Sequence, residues 1–192
     1  MKLSKRLKEV ETLIEKDRNV IDVGCDHALL DIYLALNRQN IKITATDISS
    51  NAIEGAKKNA KYYKVEDKIN FIVTNGLNNL KINSNDILVI TGMGGYTMLD
   101  ILKNNNLPNA LILSAHKDIE LIRREIVKLG YYIKTEKAVF DKKWYVIILF
   151  EKGLENYEED DYILGVYTKN YKEYMNYLYE KNKKIALKTN KK

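Results

Sequence analysis

Cysteine occurs once in the 192-residue chain, proline once and histidine twice. A lone thiol, Cys25, closes no intramolecular disulfide, and Cys25, His27 and His116 fall into no recognisable zinc spacing. Disulfide and structural-zinc frameworks are therefore excluded, and no metal is expected. Long hydrophobic runs are missing too. The longest strongly apolar stretch, Tyr145 to Phe150, is far short of the roughly 20 residues that span a bilayer. Met1 to Val10 alternates lysines with leucines where a signal peptide would need an apolar core. The expectation is a cytoplasmic protein with no membrane attachment.

What is present is an ordinary globular mixture, 45% hydrophobic and 30% charged, at a length that suits one domain with an appendage. We set the boundary at residues 1–152 for the domain and 153–192 for a helical tail. Lys plus Arg at 32 against Asp plus Glu at 26 gives a net charge of +6, which favours polyanionic partners. Lysine richness together with abundant tyrosine also fits a solvated surface shaped by codon usage. The charge is uneven. Glu151 to Asp161 holds six acids and one lysine, whereas Lys169 to Lys192 holds eight lysines and two acids, and Lys188 to Lys192 is expected to fray. Nothing in the sequence fixes the oligomeric state, and a monomer is the working expectation.

Strand-length apolar runs recur at Val20 to Val23, Ile41 to Thr46, Ile69 to Val73, Ile87 to Ile90 and Ala110 to Leu113. Helical segments are expected at Ala28 to Gln39, Ser49 to Tyr63, Tyr96 to Lys103 and Lys117 to Leu129. Runs without polar alternation, such as Ile87-Leu88-Val89-Ile90, suit a parallel sheet covered on both faces. After Gly130 the pattern changes: Tyr131 to Phe140 and Trp144 to Phe150 are separated only by Asp141-Lys142-Lys143, an antiparallel hairpin. The fold class is α/β, a Rossmann-like, mostly parallel sheet closed by an antiparallel hairpin, which is the outline of class I methyltransferases. Leu3, Leu7, Val10 and Ile14 form an amphipathic N-terminal helix capped by Ser4. Tyr167, Tyr171, Tyr174 and Leu178 repeat the same spacing in a C-terminal helix expected over Ile163 to Leu187.

The first strand ends in Asp22-Val23-Gly24-Cys25-Asp26-His27, at the turn where doubly wound folds bind nucleotide-like ligands. A dinucleotide fingerprint from Gly24 needs glycines at 26 and 29, where Asp26 and Leu29 stand. Asp26 would also push a carboxylate at a pyrophosphate, so NAD is disfavoured. S-adenosylmethionine carries a sulfonium and no phosphate, and tolerates acids here. Asp26 reads alternatively as a helix N-cap, Asp22 as an acid binding loop amides, and His27 as a packed first-turn residue.

Asp47 closes the second strand, where a carboxylate accepts both ribose hydroxyls, with Ile48 beside it. Its alternative is an N-cap for the helix that follows. Asn75-Gly76 ends the third strand at the depth of an adenine ring or forms a plain turn. Thr91-Gly92-Met93-Gly94-Gly95 puts three glycines at the carboxyl edge of the sheet, where backbone passes close to a ligand or simply makes a tight loop, and it lacks the Walker lysine and hydroxyl. Ser114-Ala115-His116 follows the fifth strand at the same edge and offers a base or substrate contact.

Leu3-Ser4-Lys5-Arg6-Leu7, Asp22 to Ala28, Gly92-Met93-Gly94-Gly95 and Trp144-Tyr145 together resemble the bacterial tRNA (adenine-22-N1)-methyltransferase family over nearly the whole chain. The resemblance implies S-adenosylmethionine as donor and N1 of a D-arm adenine in tRNA as acceptor. On this reading Asp22, Gly24, Asp26, His27, Asp47, Ile48, Asn75, Gly76, Gly92, Met93 and Gly94 hold the cofactor. Asp26 is the catalytic residue, and Arg6, Gly95, Ser114, His116, Arg123 and Tyr145 meet the substrate. Arg124 and the tail lysines are further phosphate candidates. Three positions depart from the family pattern: Asn75 replaces an aspartate, Ser114-Ala115-His116 replaces Gln-Pro-Asn, and one helix replaces a helical hairpin at the C-terminus. Two other classes stay open: a methyltransferase of another substrate, and a non-catalytic RNA-binding module.

Overall fold

The computed structural model describes residues 1–189; the terminal stretch expected to fray falls partly outside them, at 190–192. Seven strands form one open sheet: β1 (Asn19–Val23), β2 (Ile43–Asp47), β3 (Ile69–Val73), β4 (Asp86–Thr91), β5 (Ala110–Ser114), β6 (Tyr131–Asp141) and β7 (Lys143–Lys152). Their order is β3-β2-β1-β4-β5-β7-β6, parallel from β3 to β5, with β7 antiparallel to both β5 and β6. The hairpin thus finishes one edge, and its link shrinks to Lys142 alone, at φ +63°.

Successive side chains of a strand point to opposite faces, so the unbroken apolar runs feed two cores. Val89 joins Val20, Ile43 and Ile112 beneath α1 (Lys5–Leu13), α2 (Leu29–Asn37) and α3 (Ser50–Tyr62). Leu88 and Ile90 join Ile21, Leu111 and Phe150 beneath α4 (Gly95–Leu102) and α5 (Ile119–Lys128). Ser4 caps α1 as expected, its hydroxyl accepting from Leu7 N–H. None of the described helices is long and apolar enough to cross a membrane.

The tail departs from the expected single helix. It forms a short α6 (Glu159–Ile163), a 3-10 turn at Thr168–Asn170 and α7 (Lys172–Thr189). The break lies at Gly165, φ +97°, where a Cβ would lie 2.6 Å from both Arg123 Nη2 and Glu136 Oε2. Arg123 and Glu136 are only 2% and 1% exposed and form a 2.6 Å ion pair. The chain bends so that the Tyr162 carbonyl and the Thr168 hydroxyl accept from Arg123 while Tyr167 N–H donates to Glu136. Tyr167 and Tyr171 consequently leave the stripe and stay exposed, whereas Tyr174 is buried against Trp144, ring centres 5.5 Å apart.

This pair corrects one expectation outright: Arg123 is a buried anchor of the tail and cannot meet a substrate. Arg124 is also engaged, by Glu120, Glu159 and the Tyr162 ring. A buried ion pair stripped of one partner leaves an uncompensated charge, so Arg123→Ala should cost about 3–5 kcal/mol. The double variant Arg123→Met with Glu136→Leu should recover most of that loss. Urea unfolding followed by the single tryptophan, Trp144, reads both. A loss below about 1 kcal/mol in the single variant would contradict the anchoring role.

Candidate active site

Strand order reverses at β1: α2 leads to β2 on one side, and β4 lies on the other. The carboxyl ends of β1, β2 and β4 therefore frame a crevice at the switch point. Gly24 N–H and Cys25 N–H both donate to the Thr46 carbonyl, at 2.8 and 2.9 Å, which ties the turn after β1 to the end of β2. Gly24 sits at φ +77°, and a Cβ on it would collide with the Met93 methyl. The positive φ favours glycine there, and the flexible Met93 side chain would have to move to admit a Cβ.

Met93 divides the crevice into two connecting lobes. One, of about 410 Å³, is lined by Gly24, Asp47, Ile48, Asn75, Gly76 and Met93, with Thr74, Thr97 and Ile101 among the others. The second, of about 420 Å³, is lined by Arg6, Asp22, Gly24, Asp26, His27, Asp47, Gly92, Met93 and His116, with Leu29 and Thr91. Twelve of the expected site residues therefore meet around one space. Asp47 is held there by Ser49 N–H at 2.9 Å and Asp26 N–H at 3.4 Å, leaving lone pairs of both oxygens directed at the crevice. Ser49, not Asp47, caps α3 through its hydroxyl.

Asp26 does not cap α2, whose preceding residue is Ala28 at φ +52° with no side-chain cap. Its carboxylate stays 74% exposed at the rim, 3.7 Å from the equally open His27 ring. Across the crevice, Arg6 lies 5.1 Å from the Tyr145 ring centre, and its Nη1 is buried without an acceptor among the described residues. His116 N–H donates to the Met93 carbonyl at 2.8 Å, fixing the loop after β4. Burial first, then the Lys143 and Arg6 charges, lower the His116 pKa, which keeps its ring neutral at pH 7.

Five expected residues fall elsewhere. Gly95 packs against the start of α5, 3.0 Å separating the Asp118 carbonyl from where its Cβ would stand, and Gly94 precedes it as the α4 cap. Ser114 is wholly buried with its hydroxyl unpartnered, so it lies under the floor and not at the substrate. Tyr145 meets the site through Arg6 and His116 and is not among the residues that line either lobe. Arg123 is in the tail anchor described above.

A residue not foreseen lies beneath the turn. Asp31 of α2 is fully buried beside Asp22, and no cationic or hydroxyl side chain among the described residues partners either carboxyl oxygen. Burial and the Asp22 charge push its pKa well above the aspartate range, and burial also raises Asp22, partly offset by the Asp31 hydrogen bond and Arg6. Burial and mutual repulsion thus favour one proton shared across the Asp22–Asp31 pair, which removes one of two adjacent charges under the crevice. The sequence carried the signal: an acid on the apolar face of a helix next to the ligand turn.

The protein-family comparison matches residues 3–148 to the methyltransferase domain model. The chain belongs to the methyltransferase domain family. It is 30% identical over 158 residues to the tRNA (adenine(22)-N(1))-methyltransferase of Bacillus subtilis, covering 80% of this chain and 66% of that protein. Among solved structures it is similar to TrmK of M. capricolum in complex with S-adenosyl-homocysteine, at 32% identity and TM-score 0.76, covering 84% and 74% of the two chains. A Streptococcus pneumoniae protein in complex with S-adenosyl-L-methionine superposes at TM-score 0.84 with 27% identity, covering 97% and 89%.

The buried acid pair sets a pH dependence. Asp31 is protonated when folded and ionised when unfolded over the range between its ordinary value of 3.8 and its raised one. The folded state binds the extra proton, so stability falls as pH rises through that range. Asp31→Asn, which needs no proton, should flatten the decline, with a higher melting temperature than the parent at pH 8 and little difference near pH 4. Parallel pH–melting curves for both proteins would contradict the shared proton.

Proposed function

We propose that this protein transfers the methyl group of S-adenosylmethionine to N1 of adenine-22 in tRNA. The observation that carries the reading is the combination of Asp47, held at the end of β2 by two backbone N–H groups, with the orphaned Nη1 of Arg6 across the same crevice. An acid placed for ribose hydroxyls and a cation lacking an acceptor suit a nucleoside that also carries a carboxylate. The absence of glycines at 26 and 29 and the acids around the turn suit a ligand without phosphate. The names of the relatives support the tRNA substrate.

When bound, S-adenosylmethionine supplies an electrophilic methyl on a sulfonium. Asp47 would take the ribose, Asn75 and Gly76 would border the adenine, and Arg6 would hold the carboxylate, a role that replaces its expected phosphate contact. N1 of adenine has a free lone pair, so no base is needed to create the nucleophile, and the protein's task is alignment. Positive charge moves from sulfur to the base without net creation of charge. The carboxylates of Asp26 and Asp47 and the single anion of the Asp22–Asp31 pair therefore favour the crevice before and after transfer. Asp26, at the rim, is placed to accept from the adenine amine as that charge arrives. Neutral His116 adds no opposing cation. N1 is paired in a helical arm, so the adenine must leave its stack before reaction.

Two substitutions separate binding from chemistry. Asp47→Ala should weaken cofactor binding by about 1.5–3 kcal/mol in calorimetry, the scale of charge-assisted hydrogen bonds. Undiminished affinity in a folded variant removes the ribose assignment. Asp26→Asn should keep cofactor affinity while slowing single-turnover methylation of tRNA about 100-fold or more, within the range for a group acting in the transition state. Wild-type speed would reduce Asp26 to a loop residue. NAD binding at S-adenosylmethionine-like strength would overturn the cofactor reading altogether.

A further inference from the structure

A groove larger than either lobe of the crevice lies apart from it. It holds about 860 Å³ along the free edge of β6, between the start of α1 and the start of α7. Lys2, Lys5 and Lys172 line it and have no ion-pair partner among the described residues, whereas Lys137 is matched by Glu9 at 2.7 Å. Two rings stand open beside these ammonium groups: Phe140, 53% exposed, and Tyr171, 42% exposed. Trp144 backs Phe140 at 5.5 Å.

We propose that this groove is the tRNA surface of the enzyme, taking phosphates on Lys2, Lys5 and Lys172 and an unstacked base on Phe140. The inference rests on the tRNA reading above and adds where the RNA lies. Free ammonium groups interleaved with open aromatic rings are the pattern of single-strand nucleic-acid grooves, where charge follows the backbone and rings stack bases. Position supports the same occupant. Arg6 lines the crevice and the adjacent Lys5, about 100° further round α1, lines the groove, so the first turn of that helix stands between the two. Tyr145 and Trp144, adjacent on β7, point to opposite faces and repeat this division. Asp141 accepts from Arg6 N–H at 3.2 Å and fixes the hairpin tip to α1. An adenine turned into the crevice thus leaves its neighbouring nucleotides over the groove. An acidic peptide would match the lysines but has no use for a route between groove and crevice.

The test uses the full chain, unfractionated tRNA and a potassium chloride series. The triple variant Lys2→Ala, Lys5→Ala, Lys172→Ala should bind tRNA at least tenfold more weakly at 0.1 M salt, with a log–log salt slope shallower by about 2. Phe140→Ala should lose about tenfold with the slope unchanged, because stacking releases no counterions. S-adenosylmethionine affinity and melting temperature should stay at parent values in both. If the alanine triple is unstable, the Lys→Gln triple replaces it with the same expectation. A folded triple variant with parent tRNA affinity and slope overturns the groove, and if the parent still methylates tRNA, the proposed function survives that result. A parent that neither binds nor methylates tRNA overturns both. A dimer that the triple variant dissociates assigns the groove to a second copy and also overturns the proposal.

Discussion

The site depends on a short piece of backbone pairing, the two N–H groups of Gly24 and Cys25 donating to the Thr46 carbonyl. Those bonds join the turn after β1 to the end of β2 at the point where the strand order reverses. They fix the distance between Gly24 and Asp47, bring Asp26 N–H onto the Asp47 carboxylate and place α2 so that Asp31 lies under the turn. The register of β1 with β4, Val23 opposite Ile90, then brings the glycine loop across from Gly24. A side chain at position 24 would have to take up a positive φ and displace the Met93 methyl that stands between the two lobes.

Charge is sorted around this framework. Carboxylates gather around the crevice, where a migrating positive charge needs them, with the Arg6 guanidinium among them, and lysines stand on its outer side along α1 and the hairpin. Arg123 shows the rule of burial: a guanidinium taken out of water is matched by Glu136 and by acceptors of the tail, which it anchors to α5. Counting basic residues along a sequence cannot make that distinction. It depends on which face of α5 turns inward.

Much of the architecture was legible because it rests on short-range patterns. β3 matches its apolar run residue for residue, and the other core strands lie within two residues of theirs. The crevice residues on the turns after β1, β2 and β3 were legible because a doubly wound topology sends every strand end to the same edge. Gly95 and Ser114 were misplaced for a reason of scale: neighbours of a ligand loop face it or its support according to one residue of register. The tail was misread because a stripe of tyrosines at helical spacing ignores Gly165, whose positive φ lets the chain bend to the Arg123–Glu136 pair. The lobe lined by Thr97, Asp100 and Ile101 had no signal beyond their helical spacing.

The central claim is the identity of the acceptor atom. The most direct measurement is incubation of the purified protein with unmodified tRNA and isotopically labelled S-adenosylmethionine, followed by nuclease digestion, nucleoside mass spectrometry and primer extension. The account predicts label in N1-methyladenosine and a reverse-transcription stop set by adenine-22. Label in another nucleoside, at another adenine or in no RNA at all, from a protein that binds the cofactor, would contradict it.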